Sequence, residues 1–102
     1  MKRVEEILRD RFSEQITLEE IARIVGIHVV HLCRQFRRMH GCTIGEYIRW
    51  LRVQKACTLL ASSETTLAEL ALIVGCSDQS HFSSIFKRQM GVTPGQYRHL
   101  HR

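Results

Sequence analysis

The chain has 102 residues, 44% of them hydrophobic, and a formal net charge of +5, with a pI of about 9.4. That length allows one domain or two very small subdomains, and the apolar content excludes a disordered tail. Roughly 100 residues bury a core but leave little room for a ligand cavity, and the basic balance favours a polyanion, either nucleic acid or an anionic membrane surface.

In chain order, the first helix is predicted over 2–12, with Val4, Ile7, Leu8 and Phe12 on one face. A T-x-x-E/Q pattern then recurs as Thr17 with Glu20, Thr43 with Glu46, Thr66 with Glu69, and Thr93 with Gln96. In each, the threonine oxygen can accept the N–H three residues on while the Glu or Gln reaches back, which sets helix starts near 18, 44, 67 and 94. Pro94 suits the first helical position. Gly26 and Gly75 read as helix stops, because glycine takes the left-handed conformation cheaply, so helices are expected over 18–25 and 67–74. The next pair is expected over 29–39 and 78–89, ended by Gly41 and Gly91. Ser77 is the expected N-cap of the second of these, and His28 holds the corresponding place in the first as a poorer cap.

A long helix, 44–61, follows the first pair, with Ile44, Tyr47, Ile48, Leu51, Leu59 and Leu60 apolar near its ends and Arg49, Arg52 and Lys55 on the other side. It spans roughly 27 Å at 1.5 Å per residue, near the roughly 34 Å between successive turns of one DNA face. Trp50 is expected to pack in a core or interface. A short helix, 94–100, carries Tyr97. The expected fold is all-α, with about seven helices: a helix-turn-helix subdomain over 1–43, a linker helix over 44–62 and a second helix-turn-helix subdomain over 63–102.

The two halves repeat. Leu18, Glu20, Ala22, Ile24, Val25 and Gly26 return as Leu67, Glu69, Ala71, Ile73, Val74 and Gly75. After one extra residue, His31, Phe36, Arg38, Gly41, Thr43, Gly45 and Tyr47 return as His81, Phe86, Arg88, Gly91, Thr93, Gly95 and Tyr97. Basic residues gather on and after the second helix of each copy: Arg34, Arg37, Arg38, Arg49, Arg52 and Lys55 in one, Lys87, Arg88 and Arg98 in the other. That layout suits a pair of reading helices, each able to lie in a major groove.

If Leu32 and Phe36, like Phe82 and Phe86, face inward, the outward stripe follows from helical spacing. In the first helix it holds Val29, Val30, Cys33 and Arg34; in the second, Asp78, Gln79, Ser80, Ser83 and Ser84. Arg34 is the leading base reader, since a guanidinium can donate twice to guanine O6 and N7, with a phosphate contact as its competing role. Val30 could touch a thymine methyl or be half-buried, and Gln79 could read an adenine edge. Ser80 and Ser83 could bond bases or phosphates, with capping as a competing role for Ser80. Asp78 could accept from a cytosine amino group, restrain Gln79 or a nearby arginine, or act as a cap. Arg37, Arg38, Lys87 and Arg88 lie further along, where phosphate contacts compete with core-edge salt bridges. His31 and His81 occupy matching places suited to phosphate contact or packing. Backbone N–H groups opening the helices at 18 and 67 could also meet phosphate.

Cys33, Cys42, Cys57 and Cys76 have irregular spacing, with neither a C-x-x-C pair nor zinc-finger intervals. Reduced thiols and a cytoplasmic setting are expected, with Cys57 and Cys76 as small core residues and no metal or cofactor. No apolar run nears the ~18–20 residues of a membrane helix. No carboxylate pair, nucleophile–base set or phosphate-cradling glycine loop points to an enzyme.

The run from Ala71 through Cys76, Ser77, Asp78, Gln79, Ser80, His81 and Phe82 to Phe86, Lys87 and Arg88, followed by Gly91, Val92, Thr93, Pro94, Tyr97 and Arg98, resembles the second helix-turn-helix signature of the AraC/XylS transcription regulators. Leu18 to Tyr47 is similar to the first unit of that family. The resemblance covers nearly the whole chain. It implies two helix-turn-helix subdomains on a long helix, binding an asymmetric double-stranded site through consecutive major-groove segments, and contact with RNA polymerase in activators. Ser84 stands where the family usually has an arginine, and His28 replaces the usual small cap.

The expectation is therefore sequence-specific DNA binding in transcription regulation, by a segment that is itself monomeric. Two alternatives stand beside it. One is a helical module docking polymerase or another regulator with only nonspecific DNA binding, which Ser84 favours slightly. The other is a thiol or metal sensor built on Cys33, Cys42 and the histidines.

Overall fold

Local capping decides where the helices begin. A computed structural model describes residues 1–102 as α1 Lys2–Arg11, α2 Leu18–Val25, α3 Val29–His40, α4 Ile44–Ser62, α5 Leu67–Ile73, α6 Gln79–Met90 and α7 Pro94–Leu100, with no strand. Thr17 accepts from the Glu20 N–H at 3.1 Å, and the Glu20 carboxylate accepts from the Thr17 N–H at 3.3 Å. The same two-way bond opens α4, at 3.0 and 2.9 Å between Thr43 and Glu46. It also opens α7, at 3.1 and 2.9 Å between Thr93 and Gln96. At α5 the expected box is one-sided: Thr66 accepts from the Glu69 N–H at 3.2 Å, without the return bond. Each such cap is worth about 1 kcal/mol.

The chain divides into two compact units, Met1–Ile48 and Arg49–Arg102. Helix α4 runs unbroken across that division, its first turn in one unit and the rest in the other.

In the first unit, Val4 and Leu8 of α1, Ile21 and Ala22 of α2, Leu32 and Phe36 of α3, and Ile44 of α4 are buried. The Phe36 and Tyr47 rings meet edge-on at 5.5 Å, and His40 stacks on Phe36 at 4.2 Å. Helix α1 is tied to this cluster twice. Arg9 donates to the Tyr47 hydroxyl at 3.1 Å, and Glu5 Oε1 lies 2.9 Å from His40 Nε2.

In the second unit, Val53, Ala56 and Leu60 of α4 join Leu70, Ala71, Val74, Cys76, Phe82, Ile85 and Phe86 in one apolar core, flanked by half-buried Cys57, Leu59 and Tyr97. Phe86 and Tyr97 repeat the edge-on pair at 5.6 Å. Such aromatic pairs add roughly 0.5–1.5 kcal/mol to area burial. Arg98 Nε donates to the Leu60 carbonyl at 3.2 Å, and Arg102 reaches the Glu64 carboxylate and the Ser63 carbonyl. The C-terminal helix is thereby fastened to the α4–α5 connection. Trp50 is 44% exposed and lies on the surface, outside this core.

Candidate nucleic-acid interface

The turn before each second helix closes with the same bond. In the first unit Gly26, at φ 76°, ends α2, and the Ile27 N–H reaches back to the Ala22 carbonyl at 3.1 Å. In the second the Cys76 N–H reaches the Ala71 carbonyl at 2.9 Å. This six-residue closure is the Schellman pattern, and Ile27 and Cys76 occupy equivalent places in it. The additional residue of the second copy therefore lies after Cys76, and it is Ser77.

That placement corrects the expected cap. Asp78, not Ser77, starts α6, with Oδ1 accepting the His81 N–H at 2.8 Å. The cause is the register: with Ser77 taken up by the turn, Asp78 holds the place of His28. His28 does cap α3, its Nδ1 accepting the Val30 N–H at 3.2 Å. An aspartate is the stronger cap because its charge also meets the positive end of the helix dipole.

With Leu32, Phe36, Phe82 and Phe86 fully buried, the opposite face of each helix meets solvent. On α3, Val30, His31, Arg34, Arg37 and Arg38 are exposed and Cys33 is half-buried. On α6, Gln79, Ser80, His81, Ser84, Lys87 and Arg88 are exposed and Ser83 is half-buried. Val30 keeps 54% of its surface in water, which leaves its methyls free for contact. Each group lies within one unit, on one face of one helix.

The cations on these faces have no carboxylate partner. The ion pairs of the chain join Arg11 to Glu14 and Glu20, His40 to Glu5, and Arg102 to Glu64. Arg34, Arg37, Arg38, Lys87 and Arg88 take part in none of them, so the salt-bridge role weighed for the last four is not realised. In unit one Cys33, Arg34 and Arg37 line a groove with Thr43, Ile44 and Gly45 at the start of α4. In unit two Ser83, Ser84, Lys87 and Arg88 line the equivalent groove with Thr93. Both grooves thus combine side chains of a reading helix with the capped start of the following helix. The starts of α2 and α5 are less suited to phosphate, because Glu19 and Glu20 occupy the first turn of α2 and Glu69 that of α5.

All four cysteines are free thiols, Cys76 buried and the others half-buried. Cys76 is 2% exposed, and burial pushes its thiol up, only partly offset by Arg52. Burial also pushes the Cys57 thiol up, against a hydrogen bond with Tyr97. No three His, Cys, Asp or Glu side chains stand together as metal ligands. No helix is long and apolar enough to cross a membrane.

The profile of a helix-turn-helix domain family matches residues 21–99. Among curated relatives, the bifunctional transcriptional activator/DNA repair enzyme AdaA of Bacillus subtilis is 31% identical over 97 residues, covering 95% of this chain and 46% of that protein. The chain thus spans under half the length of that relative. The C-terminal domain of AraT, a response regulator from Geobacillus stearothermophilus, superposes with a TM-score of 0.93 at 34% identity, over 97% of this chain and 83% of that one. The DNA-binding domain of AdpA, a global transcriptional factor solved in complex with a target DNA, superposes with a TM-score of 0.93 at 26% identity, over 99% and 91%. The doubled turn, the paired exposed helix faces and these matches place the chain in the AraC/XylS-type helix-turn-helix family.

Proposed function

We propose that the chain is the sequence-reading part of a transcription regulator, binding double-stranded DNA with α3 and α6 in successive major-groove segments. The observation that carries this is the unpaired, exposed cationic and polar stripe that recurs on both helices opposite a buried phenylalanine pattern. Arg34 reads a guanine through two hydrogen bonds, and Val30 and Cys33 supply the apolar contact beside it. Gln79, Ser80, Ser83 and Ser84 form the second reading face. Arg37, Arg38, Lys87 and Arg88, with His31 and His81, hold phosphates and set the register without reading sequence. The family membership and the AdpA domain, solved with a target DNA, support this reading. The regulator works in the cytoplasm, this segment acts as a monomer, and in an activator it also meets RNA polymerase. No enzymatic step is assigned to it.

The experiment is selection of bound duplexes from a random pool at two salt concentrations. Two enriched half-sites and affinity falling steeply with salt are expected. Equal affinity for selected and scrambled duplexes would instead favour a protein-docking module.

A further inference from the structure

We infer that His28 is a specificity-determining residue, which donates a hydrogen bond from Nε2 to a base acceptor in the major groove; this rests on the DNA-reading role proposed for α3. His28 is the N-cap of α3 and is exposed. A helix inserted by its N-terminal end carries the cap residue at its leading tip. The bond from the Val30 N–H at 3.2 Å occupies Nδ1 as an acceptor. A ring accepting at Nδ1 carries its proton on Nε2. The cap thus fixes the tautomer, and the free end of the ring offers one donor and no acceptor.

That chemistry discriminates among bases. Guanine presents two acceptors in the major groove, N7 and O6, whereas cytosine presents only its amino donor. Adenine N7 and thymine O4 also accept, so His28 disfavours cytosine on the strand that it faces and favours guanine, which alone offers two acceptors.

The equivalent cap in the other unit has the opposite character. Asp78 spends Oδ1 on the His81 N–H at 2.8 Å, and its second oxygen can only accept. One reading helix is tipped with a donor and the other with an acceptor, so the two half-sites differ at the base pair nearest the tip. A serine in both places would also cap but could not make that distinction.

The test is repeated selection and competition binding with the 102-residue chain as wild type, His28→Ser and His28→Asp. Both replacements are good caps, and thermal melting checks that each variant folds. His28→Ser is expected to keep the rest of the selected site and lose roughly three- to tenfold preference at one base pair, the size of one net hydrogen bond. His28→Asp is expected to turn that preference from guanine towards cytosine. Folded variants that select the wild-type site unchanged would overturn the inference while leaving the DNA-reading role intact. A uniform loss over all sequences would mean a phosphate contact and would also overturn it. A wild-type chain that enriches no site would bring down the DNA-reading role and this inference with it.

Discussion

The two reading helices share a skeleton and a basic C-terminal half, and differ in what faces out near their N-terminal ends. Phe36 and Phe86 are both fully buried and both meet a tyrosine edge-on, at 5.5 and 5.6 Å. Leu32 and Phe82 are the other buried pair. On the exposed side Val30 stands against Ser80, Cys33 against Ser83 and Arg34 against Ser84. Even the caps differ, His28 against Asp78. The difference teaches that packing constrains the inner face to a few large apolar shapes, while nothing within the fold constrains the outer one. At these places the first helix exposes one long cation, the second several short polar groups.

The largest expected effect tests the shared skeleton. Phe36→Ala and Phe86→Ala should each cost about 3–5 kcal/mol, as full truncations of a buried ring, read from urea unfolding followed by circular dichroism. If either cost less than about 1 kcal/mol, the two phenylalanines would not be equivalent core anchors.

The next effect tests the outward difference. Arg34→Ser should lose about 1–3 kcal/mol of discrimination at one base pair, and Ser84→Arg should gain a similar amount in the other half-site wherever a guanine is offered. Competition against single-base variants of a selected duplex measures both. A Ser84→Arg chain with unchanged preference would show that α6 presents that position differently from α3.

A smaller effect separates the caps. Asp78→Ala should lower stability by about 1 kcal/mol, and Asp78→Ser by much less; thermal melting resolves the two. Equal losses would mean that Asp78 works through its charge rather than as a cap.

The smallest effect is on pH dependence. Burial holds the Cys76 and Cys57 thiols above their ordinary value, so the folded state favours the protonated form. Their contribution is complete at neutral pH and is lost as pH rises from the ordinary thiol range through the raised one. Cys76→Ala should accordingly flatten the alkaline fall in stability of the second unit. An unchanged alkaline slope would remove Cys76 from that role.

Much of this was legible without coordinates. Thr17, Thr43, Thr66 and Thr93 mark helix starts because a cap is a bond between residues three apart, and the chain itself enforces that spacing. The exposed stripe on α3 and α6 follows from helical periodicity once the buried phenylalanines are known. The shift of the second cap from Ser77 to Asp78 was not legible, because either residue is a good cap in isolation. The choice depends on which carbonyl the Cys76 N–H reaches across the turn. The role of His28 is hidden in the sequence for a related reason. Imidazole is a poor cap on average, and only the 3.2 Å bond to Val30 shows its Nδ1 committed and its other nitrogen free.

By itself the amino-acid order determined the helices, their duplication and which side of each second helix meets water, all of which arise from hydrogen bonds and periodicities a few residues long. Only the tertiary structure decided that His40 meets Glu5, that Arg98 and Arg102 fasten the α4–α5 connection, and that Trp50 stays at the surface. Those contacts join residues far apart along the chain or depend on the volume left by a whole core. No local pattern encodes them, because their free energy exists only once the helices have packed.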